Sequence, residues 1–208
     1  SLYMQLGDSV RAFAELQSLC DEYPAEMSYR VEMGYCYQQI GDYDTAMEVY
    51  NQVKSIEPTN VDLQMAMLDL YIMQGMDSLY EATRDSILYS PDTDTGKRIV
   101  LIQQMIQRMS PDSVDTERIV ERFEKVVALD SADVEMLTMY ASFLNYRERP
   151  AAEIQRLMAR VLTVEPDNEM ATQWLLQYYA GNRDYSSLEE ICRRGVNYHP
   201  QELLYSYF

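Results

Sequence analysis

The chain has 208 residues, 47% of them apolar and 25% charged, an ordinary globular composition that excludes wholesale disorder. Its 17 basic and 34 acidic side chains give a formal charge of −17. Nucleic acids and anionic membranes both draw binding energy from Lys and Arg, so neither is an expected partner, and no apolar run is long enough to insert into a bilayer.

A period of 34 residues organises the sequence. Tyr3, Tyr37 and Tyr71 keep this spacing, as do Gly7, Gly41 and Gly75. Pro24, Pro58, Pro91, Pro166 and Pro200 follow the same beat, with Ser131 filling the gap. Self-similarity at this period marks stacked supersecondary units. In chain order they are 1–26, 27–60, 61–93, 94–133, 134–168 and 169–202, with a stub at 203–208.

The second unit shows what each is made of. Met33, Cys36, Tyr37 and Ile40 have the i, i+3, i+4, i+7 spacing of a buried helix face. Gly41 supplies a helix stop, and Asp42 is placed to cap a second helix whose stripe is Ala46, Val49, Tyr50 and Val53. Pro58 ends that helix. So short a turn predicts an antiparallel hairpin. In the third unit Met76 replaces the capping Asp, which predicts a differently shaped turn. The fourth unit is the longest, its surplus falling at 109–113 as an enlarged turn. Its stripe is Ile119, Phe123, Val126 and Val127. In the fifth, Leu137, Tyr140, Ala141 and Leu144 form the stripe and Pro150 suits a first helical turn.

These residues resemble a tetratricopeptide repeat (TPR). The likeness is carried by Gly34, Tyr37, Gly41, Asp42, Ala46, Tyr50 and Pro58, with Arg30 where a Trp is usual and Tyr50 where a Phe is usual. The first unit matches through Gly7-Asp8, Ala12, Leu16 and Pro24, the sixth through Leu175, Tyr179, Asp184-Tyr185, Leu188 and Pro200. The fold class implied is all-α, an α-α superhelix or TPR solenoid of antiparallel hairpins running as one array through 1–208. Residue 1 falls midway through a first helix and Leu203–Phe208 begins one without a partner. We therefore expect the chain to be cut from a longer array, the alternative being that another copy, by self-association, or a partner covers the apolar C-terminal stub.

Little in the sequence suits catalysis, and we expect no enzyme activity, no cofactor and no metal site. The single His199 lies in a turn at a helix end, and no phosphate-cradling glycine motif is present. Asp112, Asp115 and Glu117 lack the Gly and later Glu of a calcium loop and read as helix N-terminal charges. Cys20, Cys36 and Cys192 are widely spaced, without a CxxC, and read as small core hydrophobes; only Cys192 has positive charge beside it, at Arg193-Arg194.

The resemblance implies a concave groove lined by first helices, holding an extended peptide or a partner helix. The candidate contacts are Val31, Tyr35, Gln38 and Gln39 in the second unit, Met65, Asp69 and Ile72 in the third, and Gln173 and Gln177 in the sixth. No basic residue stands there, so the carboxylate clamp by which some relatives grip acidic chaperone tails is absent. Residues 1–95 hold 4 basic and 17 acidic side chains, a field that attracts a neutral or basic protein or peptide. The expected role is a non-catalytic scaffold, or alternatively a regulatory arm of an enzyme or sensor whose chemistry lies outside this segment.

Overall fold

The computed structural model describes residues 8–110 and 113–201. Among them there are eleven helices and no strand. They group into two compact units, Ser1–Thr93 and Asp94–Phe208, divided where the third sequence repeat ends. No helix among the described residues is long and apolar enough to cross a membrane.

The first unit contains α1 (Ser9–Glu22), the hairpin of α2 (Met27–Gln39) and α3 (Tyr43–Ile56), and the hairpin of α4 (Val61–Met73) and α5 (Asp77–Leu88). Helix α4 packs against both α2 and α3, and α1 against α2. Ala12, Ala46, Tyr50, Val53, Leu63 and Leu70 are fully enclosed between them. A Cβ added at Gly34 would stand 2.3 Å from Tyr50 Cε1, so this glycine is what lets α2 close onto α3.

Helix α2 departs from the single stripe expected of it. Cys36 is buried, Met33 and Tyr37 are half-buried, and Ile40 at the C-cap is 52% exposed. The cause is that α2 meets α1, α3 and α4 on different sides. Its buried positions, Met27, Val31, Gly34, Cys36 and Gln38, therefore wrap around the helix.

The second unit contains three hairpins: α6 (Thr95–Arg108) with α7 (Ser113–Leu129), α8 (Val134–Tyr146) with α9 (Ala151–Val164), and α10 (Glu169–Asn182) with α11 (Tyr185–Tyr198). Helix α8 contacts α6, α7 and α9, and α9 contacts α10. Phe123 is fully buried, with the Tyr140 ring stacked on it at 4.7 Å and Phe143 tilted against it at 5.5 Å. The Ile119 and Leu137 stripes are buried as expected. The α6–α7 connection falls at the enlarged turn, where Ser110 N–H donates to Asp115 Oδ2 at 2.9 Å; Pro111 and Asp112 lie outside the described residues, as do 1–7 and the stub. Pro150 stands at the N-cap of α9, one residue before its first turn.

Four of the five hairpin turns share one structure. A left-handed residue ends the first helix, and the next N–H donates to a carbonyl five residues back, closing the orphan carbonyls of the helix end. The pairs are Asp42 to Tyr37 at 3.0 Å, Met76 to Tyr71 at 2.8 Å, Arg149 to Leu144 at 3.0 Å and Asp184 to Tyr179 at 3.0 Å. Gly41, Gly75, Glu148 and Arg183 take the positive φ. The differently shaped turn expected at Met76 is thus corrected. Its backbone, φ −88° and ψ 60°, is close to that of Asp42 at −86° and 73°. What Met76 lacks is a side-chain acceptor for the start of α5. Elsewhere Asp8, Asp42, Asn60, Asp94, Asp133, Asn168 and Asp184 each accept an N–H from the first turn that follows them.

Candidate functional site

The expected contact residues of the first unit divide by burial. Val31 is buried, and Gln38, only 3% exposed, accepts a hydrogen bond from Tyr50 O–H at 3.2 Å. Both therefore serve the α2–α3 core, and neither is available to a ligand. Tyr35 is 42% exposed and Gln39 and Asp69 are also exposed, while Met65 and Ile72 are half-buried. These five sit on α2 and α4, which pack side by side. Tyr50 shows how tightly the surroundings converge. Burial pushes its phenol far above the ordinary value, and the charges of Asp69, Glu32 and Tyr35 push the same way. An amphipathic ring, an amide, a thioether and a carboxylate thus occupy one pair of first helices. Gln173, half-buried and donating to Glu169 at 2.7 Å, and Gln177, exposed, belong to the second unit on α10.

The residues considered for chemistry are accounted for by packing. Cys20, Cys36 and Cys192 are buried, and burial is the main cause raising each thiol, with Arg30 partly opposing it at Cys20. A buried thiol held protonated is a poor nucleophile. His199 caps α11, its N–H donating to Gly195 O at 2.7 Å. Asp115 lies in the first turn of α7 and pairs with Arg118, while Glu117 pairs with Arg149. Among the described residues no cluster of His, Cys, Asp and Glu has the makings of a metal site.

A second feature was not foreseen from the sequence. A cleft of about 910 Å³ opens in the second unit between α7 and α9, with Tyr140 and Leu144 of α8 among its lining residues. Periodicity places Tyr140 and Leu144 in the core, and it carries no information about how closely two neighbouring second helices approach. The one signal was the run of Glu117, Glu121 and Glu124 on one helix against Arg149, Arg156 and Arg160 on the other side.

Hairpins repeated at a fixed period, four of them closed by the same turn, define an all-α repeat fold. Residues 28–60, the α2–α3 hairpin, match the family model described as tetratricopeptide repeat. No curated protein matches the chain. Among solved structures it is similar to YrrB, titled a TPR protein with an unusual peptide-binding site, at 12% identity over 92% of this chain and 96% of that one, TM-score 0.47. It is similar to MamA at 12% identity over 86% and 94%, TM-score 0.49, and to PilF of Pseudomonas aeruginosa at 16% identity over 88% and 96%, TM-score 0.33. A tetratricopeptide repeat at residues 28–60 is consistent with a scaffold for protein interaction.

Proposed function

We propose that the chain is a non-catalytic scaffold that holds a protein or peptide segment on the face formed by α2 and α4. The observation that supports this most is the exposed Tyr35 on α2 together with the half-buried Met65 and Ile72 on α4, the helix that packs against it. Tyr gives a large, rigid contact with a polar tip, and Met adapts its shape to varied apolar side chains. Asp69 stands on the same helix pair in a half-chain rich in carboxylates, so the segment held is neutral or basic. Long-range attraction of that kind is screened by salt, so association with a basic partner is expected to slow as ionic strength rises.

The test is capture of partners from a native extract on the immobilised chain, read by mass spectrometry. Tyr35→Asp and Met65→Asp place a charge in the contact without touching the enclosed core. A specific partner is expected to be lost from both variants while far-UV circular dichroism stays unchanged. Undiminished capture by both variants would show that binding uses another surface.

A further inference from the structure

The α7/α9 cleft has an internal control. The α9 and α11 helices repeat the same arrangement 34 residues on, and the gap between them is also lined, by Leu162, Leu175, Tyr179, Ile191 and Arg194 among others, but it measures only about 200 Å³. Both intervals are tied at one end in the same way. Arg160 donates to the carbonyls of Val127 and Ser131 at 3.3 and 3.2 Å, and Arg194 donates to those of Leu162 and Pro166. The first interval is tied at its other end as well, where Arg149 bonds Glu117 across the gap. Between two fixed ends, the α7/α9 interval nevertheless keeps the larger space.

The floor differs in the same sense. Leu175 closes the narrow interval at the position that Tyr140 holds in the wide one, each being the sixth residue beyond the first of its helix. Tyr140 is only 6% exposed, and its hydroxyl has no hydrogen-bond partner among the described residues. By contrast, the Tyr179 hydroxyl of the narrow interval accepts from Gln155 Nε2 at 2.8 Å. Tyr140 lines the cleft together with Glu117, Glu124, Arg149 and Glu153. Its oxygen is not among the atoms buried without a partner, so it meets solvent in the cleft, where a ligand acceptor would replace water.

The α7 wall is acidic, with Lys125 pairing Glu121, and the α9 side is mainly basic, with Glu153 also lining it. Glu117, Glu121 and Glu124 follow i, i+4, i+7 along α7, so they share a face. Arg156 stands exposed on the α9 side, above an apolar floor of Val120, Leu144 and Leu157. Ten residues of α7 separate the two tied ends, a trough of about 15 Å or three helical turns. We propose that this trough is a second docking site, distinct from the α2/α4 face, and that its occupant is one amphipathic helix of a partner protein. The helix presents an apolar stripe to the floor, a basic edge to α7 and an acidic edge to α9. A Gln or Glu within its stripe accepts the Tyr140 O–H. An all-basic helix meets Arg156 and an all-acidic one meets the α7 carboxylates, so mixed edges are what the charges select.

The experiment uses the whole 208-residue chain and three synthetic helical peptides with a common Leu stripe and one central Gln. Their edges are Lys/Glu, Lys/Lys and Glu/Glu, and affinity is measured by titration calorimetry. The Lys/Glu peptide is expected to bind about tenfold tighter than either other. Arg156→Glu makes both walls acidic and is expected to put the Lys/Lys peptide first. Tyr140→Phe is expected to weaken the Lys/Glu peptide by about threefold to tenfold, and to have no effect once the peptide's Gln is replaced by Leu. Tyr35→Asp is expected to leave all three affinities unchanged, which separates this site from the first. Absence of binding, equal affinities, a ranking that survives Arg156→Glu, or amide shifts confined to residues outside α7–α9 would each overturn the proposal.

Discussion

Gly34 and Gly41 lie seven residues apart and are needed for different reasons. Gly41 has φ +83° with open space around its missing Cβ, so Ala there costs backbone strain alone, about 1 kcal/mol. Gly34 is helical, and its missing Cβ would collide with a buried ring 2.3 Å away. Overpacking of this kind costs about 1–3 kcal/mol, so Gly34→Ala is expected to be the more damaging in urea unfolding. A second residue-scale expectation concerns alkaline pH. Burial pushes the Tyr140 phenol up to about 12, reinforced by Glu124 and Glu153. Its folded pKa thus lies above the unfolded value of about 10. The neutral phenol contributes stability in full below pH 10 and loses it as pH rises from 10 to 12. Unfolding free energies measured across that window should fall, and should fall less for Tyr140→Phe. The sequence shows both glycines equally well as punctuation, but only the packed ring distinguishes a steric role from a conformational one.

At the scale of the element, most of the organisation was visible in the period. The helix starts at Met27, Val61, Val134 and Glu169 fall on or next to the repeat boundaries drawn from proline and glycine spacing. The error at Met76 is instructive. A missing Asp was read as a changed turn, whereas the turn is held by a main-chain hydrogen bond that Glu148 and Arg183 also support without glycine. Side-chain identity governs the cap, and backbone geometry governs the turn. Because Met76 already has the dihedrals of Asp42 and is 38% exposed, Met76→Asp should supply the absent acceptor without losing buried surface. A stabilisation of about 0.5–1 kcal/mol is expected, read as a raised urea midpoint at unchanged m-value. The reverse change, Asp42→Ala, removes the bond to Thr45 N–H at 3.1 Å and should cost about 1 kcal/mol.

At the scale of the whole chain, periodicity assigned the fold class but not the surfaces. A repeat fixes which residues face inward along one helix. It does not fix which of the remaining faces a third helix covers, and so Val31 and Gln38 were expected outside and lie inside. Tyr35, Gln39 and Asp69 are exposed among the described residues. The α7/α9 cleft was illegible for a related reason, since its width depends on the distance between two non-sequential helices tied by Arg149 and Arg160.

The most direct measurement is the affinity of a partner captured by the chain, compared between wild type, Tyr35→Asp and Met65→Asp at matched thermal stability. Loss of binding by about tenfold or more in both variants, with the melting temperature within a few degrees, is expected if the first helices of the N-terminal unit carry the interaction. Affinity unchanged in both would place that interaction elsewhere and contradict the role given to α2 and α4.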